Sequence, residues 1–217
     1  KLTNMEMSSL SKEGYRYRSS KVVWVIAMVY IGLNVLTLLS LWIAGMPFFD
    51  ALNHAFSIVS TGGFSTKNNS IGQFGSGLIN AIAIVCMTLS AMHFGLLYSV
   101  FATRSLKPLK NTILGYYFGV MAVATLAVAF SLKISGFESS WGQTFFDSFF
   151  NVVSYMTSTG LAVNDNSSWP VLPGLILMLT AFHCGCSGST TGGIKLDRLI
   201  LAVKGIGAEI KHRIHPY

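Results

Sequence analysis

Ser60-Thr61-Gly62-Gly63-Phe64-Ser65-Thr66 and, 97 residues further on, Thr157-Ser158-Thr159-Gly160-Leu161-Ala162-Val163 are two seven-residue stretches rich in hydroxyls and glycine, set in an otherwise apolar chain. Each follows a short apolar segment opened by Phe-Asp, at Phe49-Asp50 and at Phe146-Asp147. The same offset, with no gap, carries Gly45 onto Gly142, Ser57 onto Ser154, Gly63 onto Gly160 and Gly77-Leu78-Ile79 onto Gly174-Leu175-Ile176. Self-similarity at one fixed offset marks a duplicated structural unit. A lone Ser/Thr/Gly cluster is an ordinary loop signal; recurrence at equivalent places makes it specific.

Long apolar blocks flank the turns. Segments 22–44 and 78–102 contain no Lys, Arg, Asp or Glu, and 113–134 is uncharged up to Lys133. Each is long enough for a helix to cross a hydrocarbon core. A fourth block, from Val171, is interrupted by glycines. The chain is 52% hydrophobic and only 11% charged, which fits a membrane protein and not a soluble domain. Each unit therefore reads as a span, a short apolar segment, a turn and a second span.

The short segments, 50–59 and 143–156, would extend only roughly 15–20 Å as helices, about half of a hydrocarbon core. Lying between a span that leaves and a span that returns, each must dip into the membrane from one face and come back. Non-helical backbone at that depth is tolerated only where protein buries it or a watery cavity solvates it. The alternative is a pair of amphipathic helices on the membrane surface, but neither segment carries the Lys or Arg that such a helix usually shows. Asp50 and Asp147 read as helix-start residues favoured by the helix dipole.

The net charge of +7 raises the question of nucleic acid. Its placement excludes that reading. Lys1, Lys12, Arg16, Arg18 and Lys21 precede the first span, Arg104, Lys107 and Lys110 lie between the second and third, and Lys195, Arg198, Lys204, Lys211 and Arg213 follow the glycine interruption. Lys67 and Lys133 alone fall in the alternate segments. This is the positive-inside pattern, with both ends of the segment cytoplasmic and the turns at the outer mouth. Anionic lipid headgroups would attract the basic segments.

The turns offer carbonyls and hydroxyls without fixed charge, the ligands that a dehydrated monovalent cation needs. Glycine permits the backbone conformations that aim carbonyls at an axis, and a helix C-terminus adds partial negative charge. Segment 185–193 packs Gly185, Gly188, Gly192 and Gly193 with Ser187, Ser189, Thr190 and Thr191 inside an apolar span. A continuous helix there is costly, because each interior glycine loses about 1 kcal/mol relative to alanine. The segment reads either as an unwound loop or as a close-packing surface of small residues; Ser90 to Gly95, its counterpart in the first unit, lacks such a cluster, so the interruption is expected in the second unit alone. Lys195 reads as snorkelling to the cytoplasmic face, with contact to a permeation path as the alternative.

Other residues carry less. Cys86, Cys184 and Cys186 lie in or beside spans where disulfides are not expected. His183 with Cys184 and Cys186 lacks the partner pair of a four-ligand zinc site. His93 reads as a packing residue. The apolar spans hold no carboxylate to support an enzyme.

His54-Ala55-Phe56-Ser57 leading into the first turn, Phe150-Asn151-Val152-Val153-Ser154 leading into Thr159-Gly160-Leu161-Ala162-Val163, Trp169-Pro170, and Gly185-Cys186-Ser187-Gly188-Ser189-Thr190-Thr191-Gly192-Gly193-Ile194-Lys195 together resemble the TrkH/KtrB potassium transporters, relatives of the Trk and HKT proteins. The resemblance implies an all-α membrane fold in which four helix–pore helix–filter–helix repeats surround one pore, with this chain supplying repeats two and three. It implies a cytoplasmic segment 1–21, a pore repeat 22–103, a cytoplasmic linker 104–112, a second repeat 113–206 and a truncated cytoplasmic segment 207–217. The selectivity filter would comprise Thr61, Gly62, Gly63 and Phe64 with Ser158, Thr159, Gly160 and Leu161, holding potassium as the transported ion. Segment 185–193 with Lys195 would be the gating loop. The implied partners are the missing repeats, a second copy in a homodimer, membrane lipid and a cytoplasmic nucleotide- or NAD-binding regulatory subunit at 104–111 and 204–217. The implied location is the bacterial inner membrane, and no other cofactor is expected. Sodium or mixed-cation transport, or a membrane scaffold, are the alternatives.

Overall fold

The computed structural model describes residues 19–136, 140–164, 166 and 169–214. Lys1, Lys12, Arg16 and Arg18 and the terminal His215-Pro216-Tyr217 lie outside the described residues. Among those described, the regular elements are helices: α1 (Ser19–Ile43), α2 (Phe48–Val59), a 3-10 turn (Ser70–Phe74), α3 (Gly77–Ser90), α4 (Phe94–Thr103), a 3-10 turn (Lys107–Leu109), α5 (Thr112–Ile134), α6 (Trp141–Met156), α7 (Val171–Phe182) and α8 (Leu196–Ile214). One isolated bridge joins Cys184 to Lys195.

Two helices, over Val22–Ile43 and Thr112–Ile134, are long and apolar enough to span a bilayer. Both are apolar on every side. Trp24, Ile31, Trp42, Val123 and Phe130 stay exposed on them, as side chains facing lipid would be. The short helices start where local chemistry dictates. Pro47 ends the turn after α1 and presets the entry to α2; Ser140 Oγ accepts the Gln143 N–H at 3.2 Å at the start of α6, and Asn111 Oδ1 accepts the Ile113 N–H at 3.1 Å at the start of α5. With 12 and 16 residues, α2 and α6 are about 18 and 24 Å long, short of a hydrocarbon core.

Each unit packs its short helix against its first span, α2 on α1 and α6 on α5. The units join where α3 of the first lies on α6 of the second. One apolar cluster runs through that seam, uniting Leu41, Ile58, Ile71 and Met87 with Phe150, Val153, Met156 and Leu161.

Three expectations change. The block 78–102 is not one straight span: α3 and α4 meet at 99° across residues 91–93. Asp50 sits in the first turn of α2, but α6 begins at Trp141, so Asp147 lies in its middle and does not start it. Finally, α8 continues through the boundary expected at 206–207 and reaches Ile214.

Candidate functional site

Both turns fold back onto the helix that precedes them, bond for bond. The N–H groups of Ser60, Thr61 and Gly62 donate to the carbonyls of Phe56, Ile58 and Ser57 at 2.9, 3.1 and 2.8 Å. Those of Thr157, Ser158 and Thr159 donate to Val153, Tyr155 and Ser154 at 2.8, 3.0 and 3.0 Å. The dihedrals repeat too: Thr61 and Ser158 both have φ +54°, while Gly63 and Gly160 have φ +70° and +82°. Alternating left-handed residues keep the chain from continuing as a helix. With the amides committed to the helix ends, the carbonyls of Thr61, Gly62, Gly63, Ser158, Thr159 and Gly160 accept no hydrogen bond among the described residues. Carbonyl oxygens without a hydrogen-bond partner are the kind of ligand that weakly held monovalent cations take.

Not every expected filter residue is equally placed. Leu161 is buried and its carbonyl accepts from Ser154 Oγ at 2.6 Å, so that oxygen is already used. Phe64, at the equivalent position, is exposed.

Beyond each turn the chain is tied to the short helix by matched bonds of different chemistry. In the first unit Thr66 Oγ1 donates to Asp50 Oδ1 at 2.6 Å and Lys67 Nζ pairs with Asp50 Oδ2 at 3.4 Å. In the second, Asn164, the counterpart of Lys67, donates to Asp147 Oδ2 at 2.7 Å, and Gln143 donates to Oδ1 at 2.9 Å. A second tie links His54 Nε2 with Ser65 Oγ at 3.0 Å, and Asn166 Nδ2 with Asn151 Oδ1 at 2.6 Å. Because His54 Nδ1 faces the Asp50 carbonyl at 2.7 Å, the proton belongs on Nδ1 and Nε2 accepts from the serine.

These ties give the two carboxyls opposite titrations. The Thr66 hydroxyl, followed by Lys67, holds Asp50 below the usual carboxylate range, whereas burial without a cation pushes Asp147 up. The Asp50 contribution is complete above its unfolded value, near pH 4, and is lost as pH falls through the depressed folded value. Asp147 behaves inversely: its charged form weighs against folding at neutral pH, and stability is regained as pH falls through the raised value. In Asp50→Asn we expect destabilisation of about 2 kcal/mol at pH 7, shrinking on acidification. In Asp147→Asn, where the Gln143 and Asn164 amides can turn to match, the change stays under about 1 kcal/mol. Melting curves of both variants between about pH 2 and 7 check this; parallel pH trends would contradict it.

The two turns abut. Gly72 N–H donates to Ala162 O at 3.2 Å, and Ala162 N–H donates to Ser70 Oγ at 3.2 Å. A Cβ on Gly63 would fall on the Thr159 carbonyl, and one on Gly72 on the Val163 carbonyl.

The glycine-rich segment is unwound between α7 and α8, and it lies against the 91–93 bend. The interruption is therefore common to both units; at the 97-residue offset, 91–93 corresponds to 188–190. His93 makes the bend affordable by capping α4, its Nδ1 accepting the Gly95 N–H at 2.9 Å. Each interruption satisfies the other's freed backbone. Cys186 N–H donates to Ala91 O at 2.9 Å, Phe94 N–H to Gly188 O at 3.1 Å, and Thr190 Oγ1 to Ser90 O at 3.1 Å. Within the segment Ser189 Oγ donates to Cys186 O at 2.7 Å and lies 2.8 Å from Thr191 Oγ1. Lys195 does not snorkel: its Nζ turns back onto the Thr191 carbonyl and lies 3.3 Å from Thr191 Oγ1. The buried Gly185 and Ser187 and the left-handed Gly188 and Gly193 complete a compact loop that also touches both turns, through Thr190 and Gly192.

The residues 1–217 match the family model described as "TrkH: Cation transport protein". The chain belongs to the TrkH family. Among curated TrkH-family relatives, the Trk system potassium uptake protein TrkH of Escherichia coli (strain K12) is 36% identical over 203 residues, covering 91% of this chain and 41% of that protein. TrkG of the same strain is 37% identical over 199 residues, covering 91% and 40%. The crystal structure of the potassium transporter TrkH from Vibrio parahaemolyticus superposes with a TM-score of 0.86 at 30% identity, covering 94% of this chain and 44% of that one. The chain thus spans about two fifths of the length of the TrkH proteins it matches.

Proposed function

We propose that this chain supplies two of four repeats of a potassium-selective pore in a bacterial inner membrane, with α2 and α6 as re-entrant pore helices and the two turns as half of the filter. The observation that carries the reading is the set of unused carbonyls on Thr61, Gly62, Gly63, Ser158, Thr159 and Gly160, in two turns whose hydrogen bonds and φ angles agree position by position. Their oxygens replace a cation's hydration shell and still let the ion leave. The C-terminal ends of α2 and α6 face the same turns and favour positive charge. Segment 185–193, held at the bend between α3 and α4, is the gate, and Lys195 braces it from within.

In this reading both ends are cytoplasmic, two further repeats complete the ring, and the protein works as a homodimer with a nucleotide- or NAD-binding regulatory subunit. That subunit docks on 104–111 and 204–217; the side chains of 207–209 and 211–217 lie outside the described residues. The test is rubidium and potassium uptake by the full-length gene product in a strain deficient in potassium uptake. The parent should restore uptake with potassium preferred over sodium, and Gly160→Ser should reduce that preference. Wild-type uptake and preference in Gly160→Ser would refute the filter assignment.

A further inference from the structure

Thr61 and Ser158 hold equivalent places in the two turns, and both are left-handed at φ +54°. That conformation suits glycine, and it is least suited to a β-branched residue such as threonine. Two residues later the chain meets the same demand with Gly63 and Gly160. Something must hold hydroxyl side chains at 61 and 158 against the cost.

Both hydroxyls engage the glycine-rich segment, one from each unit. Thr61 Oγ1 donates to the Thr190 carbonyl at 3.2 Å, sharing its proton with the Ser60 carbonyl at 2.7 Å. Ser158 Oγ accepts the Gly192 N–H at 3.0 Å. Residues 190–192 are thereby gripped on one side by the turns, while Thr190 is bonded on the other side to Ser90 at the α3–α4 bend. The grip on the first unit is a shared proton, weaker than a full hydrogen bond and readily released. On the second it is a backbone amide that finds no other acceptor among the described residues.

We infer that Thr61 and Ser158 are positioning residues whose hydroxyls latch the glycine-rich segment beneath the two turns, coupling the filter to the gate. The inference rests on reading the turns as a filter, and it assigns the two side chains to holding the gate and not to the ion.

The test uses the full-length gene product in liposomes, with potassium flux and hydrogen exchange measured side by side on Thr61→Val, Thr61→Ser, Thr61→Gly and Ser158→Ala. Loss of the Ser158 hydroxyl should raise resting flux about fivefold, the equivalent of one net hydrogen bond, and loss of the Thr61 hydroxyl, whose proton is shared, should raise it by less. Thr61→Ser keeps the hydroxyl, so amide exchange across 187–193 should be slower in it than in Thr61→Val. Thr61→Gly is the decisive variant, because it relieves the left-handed backbone and removes the hydroxyl: it should raise flux as Thr61→Val does. In Ser158→Ala, amide exchange across 187–193 should accelerate with the helices unchanged. Resting flux at the wild-type level in Thr61→Gly, altered ion preference at unchanged resting flux in Thr61→Val, or unaltered exchange in Ser158→Ala would each overturn the latch. Failure of the filter reading is separate: wild-type liposomes would then carry no potassium, while the exchange measurement still decides the latch.

Discussion

Gly63→Ala should abolish potassium uptake by the full-length gene product, whereas Gly160→Ala should leave a measurable fraction. The two glycines hold equivalent places and are both left-handed, so conformation alone costs an alanine about 1–2 kcal/mol at either position. Their surroundings differ. A Cβ at Gly63 collides with the backbone carbonyl of Thr159, while at Gly160 nothing lies within 4 Å among the described residues. A backbone carbonyl cannot swing aside as the end of a long side chain can. Relief requires the first turn to move off the second, which pulls on the Gly72–Ala162 and Ala162–Ser70 bonds and displaces the carbonyls assigned to the proposed filter. Uptake assays on both variants, with membrane expression measured in parallel, check the asymmetry. Equal losses in the two variants would show that strain, and not the approach of the turns, controls the site.

Gly185→Ala should be nearly as severe, for a different reason. Its Cβ would lie 2.5 Å from the Ala91 carbonyl oxygen and 2.8 Å from Thr191 Oγ1. To make room, the glycine-rich segment has to withdraw from the bend, giving up the Cys186–Ala91 and Phe94–Gly188 bonds. Overpacking costs about 1–3 kcal/mol, and each of the two hydrogen bonds given up adds about 0.5–1.5 kcal/mol. A fall of about 2–6 kcal/mol in stability follows, seen as a lowered melting temperature in detergent and faster exchange at 90–95 and 185–193. Gly192→Ala is the control, since its nearest neighbour, Ser158 Oγ, would sit at an ordinary 3.8 Å. If Gly192→Ala proved as damaging, the docking of the two interruptions would not be what Gly185 protects.

What the residues revealed in advance, and what they hid, divides along physical lines. The duplicated turns were legible because glycine and hydroxyl residues have few uses in the middle of apolar sequence, and because the offset never slips. Helices too short to span followed from counting. The bend at 91–93 was hidden: Ala91-Met92-His93 holds no glycine or proline, and hydropathy measures how apolar a segment is, not its direction. The offset itself was the available signal, since it places those residues opposite 188–190. Asp147 misled because the Phe-Asp pair recurs while α6 starts four residues earlier, relative to that pair, than α2 does. The tie between short helix and turn exit was invisible for a related reason, its role being kept while Lys67 became Asn164. Lys195 misled because snorkelling is the default for a lysine near a helix end, and only coordinates reveal carbonyls close enough to compete.

The one-sided seat of Gly63 on the Thr159 carbonyl has a geometric consequence. Two units facing each other across a twofold axis would make an isologous contact, with Gly160 seated on the first turn in return. A Cβ on Gly160 would instead meet no atom within 4 Å among the described residues. The contact is heterologous, head to tail, and α3 lying on α6 has the same sense. A head-to-tail contact cannot close on itself with two members; repeated through a rotation that closes, it makes a ring. The arrangement of these two turns already carries a direction of circulation, with the glycine of the first turn seated on a carbonyl of the second.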